Sequence, residues 1–300
     1  MSALDRSPLS RRRFLLGGSA ATAAVLLGAC GSDEQTGSSS TTATTAATSG
    51  LALAQFFGGP MFVPGQESRF PFGVADQDGL LPVKRTPPRL TVQILDPAGE
   101  PVGDPVEVAR RGEGLPRPYF PLIATLDAPG IYTARTEIDG TAVEMALKVD
   151  ATSDVKVIQP GAAMPALETP TTADARGVNP ICTRDPVCPL HDVTVAEALA
   201  EGRPLALLVA TPAFCQITIC GPVLDVLLDV SDAHPDVRFL HAEVYADPSK
   251  DLDTYAPVVA PLGLHFEPCL VLVGADGTVV NRVDTIYDRS ELDERLAQLA

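Results

Sequence analysis

The 300-residue sequence has no tryptophan, only four histidines, and few aromatic residues of any kind, at 5%. Basic residues are scarce as well, with 22 Lys and Arg against 38 Asp and Glu, for a formal net charge of −16. That balance argues against nucleic acid as a partner, because nucleic acid is held through a basic footprint. No long apolar run suits a lasting membrane span. The stretch after Arg13 is short and diluted with Gly, Ala and Thr. Residues 50–156 contain neither cysteine nor histidine, so thiol and imidazole chemistry has to come from elsewhere. Apolar residues are present in quantity, at 45%, ample for two cores of ordinary domain size in the part after residue 49.

The start of the chain reads as a targeting segment. Ser10-Arg11-Arg12-Arg13-Phe14-Leu15-Leu16 resembles a twin-arginine export signal, and Leu27-Gly28-Ala29-Cys30 resembles a bacterial lipoprotein cleavage box. The resemblance implies that residues 1–29 are removed and that Cys30 becomes the lipidated N-terminus. The protein would then be anchored on the extracytoplasmic side of a bacterial cell membrane. Each buried methylene contributes about 0.8 kcal/mol, so two or more acyl chains anchor stably. Without residues 1–29 the chain keeps 18 basic against 37 acidic residues, net −19. So acidic a chain is not drawn to anionic lipid, which leaves the lipid anchor as its route to the membrane. Residues 30–49 are small, polar and rich in Ser and Thr. They cannot bury enough surface to order themselves and read as a disordered tether.

Residues 50–156 show short alternating runs broken by Pro and Gly turns. Arg89 to Leu95 alternates and stops at Asp96-Pro97-Ala98-Gly99, while Gly130 to Thr136 and Ala142 to Val149 flank an Asp139-Gly140 hairpin turn. Several such strands with little helical pattern predict a β-sandwich. Pro129-Gly130-Ile131-Tyr132 resembles late strands of immunoglobulin-like bacterial domains. A spacer or docking role is expected of this part.

The chemistry lies in residues 157–300. The apolar run Leu205 to Ala210 ends in a small-residue loop; Cys215 and Cys220 follow, and Gly221-Pro222 opens an apolar pattern at helical spacing, with Val223, Leu224, Leu227 and Leu228. Proline suits the first turn of a helix. The pair therefore sits at or just before a helix N-terminus, where unpaired N–H groups and the macrodipole stabilise a thiolate. Positions five apart on a regular helix diverge by about 140°. A Cys215–Cys220 disulfide thus needs either a loop up to Pro222 or local unwinding. The pair is read as redox-active; a permanent staple and a metal site are its alternatives.

Here the sequence resembles the thioredoxin-like superfamily. Cys220-Gly221-Pro222-Val223-Leu224-Asp225 is similar to the cysteine-helix region of thioredoxins, and Phe266-Glu267-Pro268-Cys269-Leu270-Val271-Leu272-Val273 is similar to their cis-proline loop. Pro160 to Leu167 resembles the N-terminal arm of membrane-tethered members. The resemblance implies a C-terminal thioredoxin-like α/β domain after a Pro-rich arm. The whole chain is then an α+β two-domain protein, with an N-terminal immunoglobulin-like β-sandwich. It implies that Pro268 is cis and faces the pair, that Glu267 faces substrate, and that Cys269 could resolve or modulate. The departures are the missing tryptophan and four residues, not two, between the cysteines. The latter spacing resembles one group of peroxiredoxins, but those place a threonine three residues before the attacking cysteine, and here Thr211 is four before Cys215.

Asp192 to Gly202 predicts a short helix opened by a Thr194 and Glu197 capping box, Val237 to Tyr245 a strand, and Asp253 to Leu264 a helix interrupted by prolines. Leu270–Val273 and Val279–Val283 predict an antiparallel pair, and Arg289 to Ala300 a closing helix. Cys182 and Cys188 bracket an irregular loop, and in an exported protein such a pair is expected to form a structural disulfide. Adding His191 gives three ligands at a spacing that matches no known zinc pattern. His191, His234 and His241 carry no further signal.

The expected activity is extracytoplasmic, membrane-tethered thiol–disulfide exchange without a cofactor, acting on protein thiols or disulfides. Cys215, nearest the strand end, is the attacking thiolate, with Cys220 as the alternative. One competing reading is a Sco-like copper chaperone using Cys215, Cys220 and His265. Another is a redox-inert binding module on the same fold.

Overall fold

The computed structural model describes residues 50–56 and 58–299. The export signal, Cys30 and the tether lie outside the described residues. Strand alternation builds the first half. In β4 (Arg89–Leu95) Leu90, Val92 and Ile94 are buried. β7 (Gly130–Ile138) and β8 (Thr141–Val149) bury every second residue over most of their length. Their hairpin closes through Asp139 and Gly140 with φ of 50° and 76°, the left-handed pair that matches strand twist in a two-residue turn. With β5 (Pro101–Ala109) these strands form an antiparallel sheet in the order β5-β4-β7-β8. The other sheet centres on β2 (Glu67–Asp76), which pairs antiparallel with β1 (Ala52–Gln55), β3 (Gly79–Leu80) and β6 (Phe120–Thr125). One apolar cluster, including Phe70, Phe72, Phe120, Val92 and Leu147, draws on both sheets.

The second half is a four-stranded mixed sheet with helices on its faces. β9 (Leu205–Val209) leads through the cysteine loop into α2 (Cys220–Ser231) and back along β10 (Arg238–Ala242), which runs parallel to β9. β11 (Cys269–Val273) is antiparallel to both β9 and β12 (Val279–Asp284), giving the order β10-β9-β11-β12. The antiparallel β11–β12 pair is the one expected from the sequence. α1 (Val195–Ala200) carries the expected capping box, with Thr194 and Glu197 bonded to each other's backbone N–H. All five residues of β9 and of β11 are buried, as expected of strands covered on both faces. Their alternate residues feed two clusters. Ala206, Leu208, Leu270 and Leu272 pack with α2 and α3 (Arg289–Leu296), while Leu205, Leu207, Cys269 and Val271 pack with α1 and the segment around Val258.

Two helix expectations are corrected. Asp253 to Leu264 forms turns, not a helix, tied back by a bridge between Tyr245 and Tyr255. Pro257 and Pro261 each lack an N–H, and the stretches between them are too short to propagate. The closing helix ends at Leu296 and continues as a 3-10 turn over Ala297–Leu299.

All described residues fall within one compact unit, and a buried ion pair crosses the 156/157 boundary. Arg69 of β2 is 6% exposed and Glu291 of α3 is 1% exposed. The guanidinium Nε donates to Glu291 Oε1 at 2.6 Å and Nη2 to Oε2 at 2.8 Å. Nη1 donates to the Asp284 carbonyl and Nη2 also to the Ile286 carbonyl, and Tyr119 donates to Glu291 Oε2 at 2.6 Å. Burial alone would lift the Glu291 carboxyl, but the charge and hydrogen bonds of Arg69 hold it below the usual carboxylate range. A carboxyl depressed in this way stabilises the fold above its unfolded pKa, and the contribution is lost as pH falls. Glu291→Gln leaves a buried guanidinium without its counter-charge and is expected to cost about 3–5 kcal/mol, read as a lower midpoint in urea unfolding. The wild-type advantage over this variant should shrink as pH drops below the carboxylate range.

Candidate functional site

β9 ends at Val209, and the chain turns through Thr211 to Ile219 before α2 begins at Cys220. Ile219, at the cap position, offers no side-chain acceptor. The sulfur of Cys215 takes that place, accepting from the Cys220 N–H at 3.3 Å. Cys215 and Cys220 are joined as a disulfide with 5.9 Å between their Cα atoms, so the spacing is met by a loop and not by helix unwinding. Thr218 adopts a positive φ of 58° to complete the loop. Cys220 is fully buried, whereas Cys215 is partly exposed between the exposed Phe214 and Gln216.

Glu267 and Pro268 are joined by a cis peptide, and this loop lies against the disulfide. Glu267 Oε2 accepts from the Thr211 N–H at 3.0 Å and sits 3.6 Å from Cys220 Sγ, while Tyr245 Oη lies 3.5 Å from Oε1. Thr211 is wholly buried, and its hydroxyl accepts from Val244 N, so it holds strand ends together and does not face the pair. Burial pushes the Glu267 carboxyl up to about 7, against the hydrogen bond from Thr211 and helped by the charge of nearby Glu243. Glu243 is buried, accepts from Thr183 N at 2.6 Å through Oε1, and leaves Oε2 without a partner among the described residues. It gave no signal in the sequence.

Two expectations at this site are corrected. Cys269 does not approach the pair. It begins β11 on the face opposite Leu270, packs in the cluster with Val271 and Val258, and lies 3.8 Å from Asp284 Oδ1. Burial, then the Asp284 charge, push its thiol well above the ordinary range. Strand alternation is the reason: the residue next to the cis-proline points away from the side on which α2 packs. His265 does not join the cysteines either; its ring packs edge-on against Phe266 and over Gly59. The acid group beside the two sulfurs is Glu267, so the donor set expected for copper is not assembled.

Cys182 and Cys188 are separate thiols, not the expected disulfide. Both are buried and face His191 and His241, which are also buried. Cys188 Sγ lies 3.1 Å from His191 Nε2 and 3.4 Å from His241 Nδ1; Cys182 Sγ lies 3.7 Å from the same Nδ1. Within the thiol pair Cys182 is held low, first by a hydrogen bond from Cys188 and then by the imidazoles, and Cys188 is pushed up by the same bond and by burial. His241 comes from β10, fifty residues beyond His191. Its position two residues after Phe239, which is buried on the α2 face, is the signal that could have placed it beside the loop.

No family model matches the chain, and no curated protein matches it. Among solved structures the chain is similar to MTB DsbF, solved in its mixed oxidized and reduced forms, at 23% identity, covering 37% of this chain and 89% of that chain with a TM-score of 0.29.

Glu267 favours the fold in its protonated form. Its contribution is full below the unfolded pKa of 4.5 and fades as pH rises through about 7. Carbon-detected NMR of the glutamate side chains should therefore find one carboxyl titrating near neutrality in the disulfide form. Glu267→Gln should remove that signal and flatten the stability profile between these pH values.

Proposed function

We propose that this protein is a thiol–disulfide oxidoreductase working through Cys215 and Cys220. The observation that carries the reading is the asymmetry of the pair. One sulfur is reachable and accepts an N–H at a helix start, and the other is buried 3.6 Å from a carboxylate raised to about 7. In the reduced protein the Cys215 thiolate attacks one sulfur of a partner disulfide; a Cys215–partner bond forms, the partner S–S bond breaks and a partner thiolate leaves. Cys220 then loses its proton to Glu267 and attacks Cys215 Sγ. The internal disulfide forms, the mixed disulfide breaks and the second partner thiolate departs. Two electrons pass to the partner, and oxidation of a partner dithiol is the reverse sequence. A carboxyl poised near neutrality can take the proton in one direction and return it in the other.

Protein substrates are favoured by the surroundings. Phe214 and Tyr255 are 38% and 58% exposed, and Tyr255 stacks on Tyr245 beside Glu267. A cleft of about 210 Å³ also runs past Ile217 and Ile219 to Phe56 and Arg117. We place the protein outside the cytoplasm, held by lipid on Cys30 through the 30–49 tether, on the strength of the export-signal and cleavage-box resemblances. No helix among the described residues is long and apolar enough to cross a membrane. The first half is read as an immunoglobulin-like sandwich from its two four-stranded antiparallel sheets on a common core, and it serves as the rigid mount for the redox half.

Redox titration with thiol alkylation and peptide mass spectrometry tests the reading. Cys215 and Cys220 should titrate together above about −300 mV, the region of exchangeable disulfides. Cys215→Ser should abolish dithiol-dependent turnover, Cys220→Ser should accumulate a mixed disulfide with the partner, and Cys269→Ala should turn over normally per folded molecule. A bond that resists reduction, or full turnover by Cys215→Ser, would make the fold a binding module instead.

A further inference from the structure

The four groups in the cluster beside the redox loop converge on one point, which pairwise hydrogen bonds do not explain. His241 Nδ1 has 3.7 Å to Cys182 Sγ, 3.4 Å to Cys188 Sγ and 3.3 Å to His191 Nε2. A ring nitrogen carries a single proton or a single lone pair, so it can satisfy only one of these neighbours. Its other nitrogen, Nε2, lies 3.0 Å from the Ala210 carbonyl. That carbonyl can only accept, so Nε2 holds the proton and Nδ1 presents its lone pair to the cluster. This is the second contact by which proteins orient a metal-bound imidazole.

The spacings fit a tetrahedron. Zinc binds sulfur at about 2.3 Å and imidazole nitrogen at about 2.0–2.1 Å, so tetrahedral edges are about 3.5 Å from sulfur to nitrogen and about 3.3 Å between nitrogens. The sulfur–nitrogen separations of 3.1, 3.4 and 3.7 Å and the nitrogen–nitrogen separation of 3.3 Å straddle those values. All four donor atoms lie within 4.8 Å of one another. Two thiolates and two neutral imidazoles suit zinc, and the set is complete without water. Burial of every ligand closes the site, the mark of a structural centre and not a catalytic one.

We infer that Cys182, Cys188, His191 and His241 form a structural zinc site, a Cys-x5-Cys-x2-His loop closed by a histidine from β10. The site pins the irregular loop 179–191 to the sheet. Thr183 in that loop accepts from Ala213 N, and Arg184 pairs with Asp225 of α2 at 2.9 Å, so the metal-held loop also braces the segment that carries Cys215. The inference stands apart from the proposed exchange activity, since it uses neither Cys215 nor Cys220.

The test is metal analysis of the full chain after reduction and incubation with Zn(II), and in parallel with Co(II). About one equivalent should bind, and the cobalt form should show the visible bands of a tetrahedral site with a thiolate charge-transfer band. The Cys215→Ser/Cys220→Ser double variant should keep the equivalent. Cys188→Ser and His241→Asn should lose it. Should those two variants fail to fold, the wild-type protein still decides: Zn(II) should shield Cys182 and Cys188 from alkylation, and a chelator should expose both and lower the melting temperature. Failure of the reduced protein to take up either ion overturns the assignment. So does an ion that survives Cys188→Ser but leaves with Cys215 and Cys220, which would place it at Glu267.

Discussion

The guanidinium of Arg69 projects from β2 into a buried setting, and its hydrogen-bond partners all belong to the second half of the chain. It holds Glu291 in a two-point grip and caps the carbonyls of Asp284 and Ile286 just after β12. Tyr119 and Arg111 extend the same contact, the first to Glu291 and the second to Glu294. A buried pair of this kind contributes little net stability against a well-packed apolar replacement, but it tolerates almost no displacement. It fixes α3 against β2. Since α3 shares its cluster with α2, it also limits where the helix carrying Cys220 can sit.

Around that fixed frame the loop that carries the cysteine pair is held at both ends. On one side the cis loop at Glu267 and Pro268 reaches Thr211 and the sulfur of Cys220; on the other, the zinc loop reaches Ala213 through Thr183. Cys215 sits between these anchors on the most exposed part of the segment. Burial lowers the effective dielectric around Glu267 and lifts its carboxyl towards neutrality, and Glu243 behind it adds like-charge repulsion. The arrangement sets a carboxyl poised near neutrality 3.6 Å from the buried sulfur.

Much of the local architecture was legible from residue pattern. Period-two alternation marked β4, β7 and β8, the Asp139-Gly140 turn set the register of β7 on β8, the Thr194 and Glu197 box opened α1, and the run from Leu205 set β9. What failed did so where the sequence pattern was silent about neighbours. The turns from Asp253 to Leu264 kept apolar spacing after proline had removed the means to be a helix. Cys269 was adjacent in sequence to the cis-proline loop and packs on the face of the sheet opposite α2. Cys182 and Cys188 looked like a disulfide because their nearest sequence partner was each other, and the pairing of β10 with β9 is what brings His241 to them.

The sequence by itself determined the short-range structure: which segments are strands, where α1 begins, and that a cysteine pair precedes a helix. These depend on spacing, turn chemistry and missing N–H groups, all of which act over a few residues. Tertiary structure alone decided which side chains share a site. The choice of Glu267 over His265 beside the sulfurs, the turning away of Cys269, the four-ligand cluster, and the Arg69–Glu291 lock all arise from the order of strands in a sheet and the face each residue presents. Burial then lifts the Glu267 carboxyl and the Cys269 thiol, and no window of sequence contains that information, because the groups that bury them come from separate strands and loops.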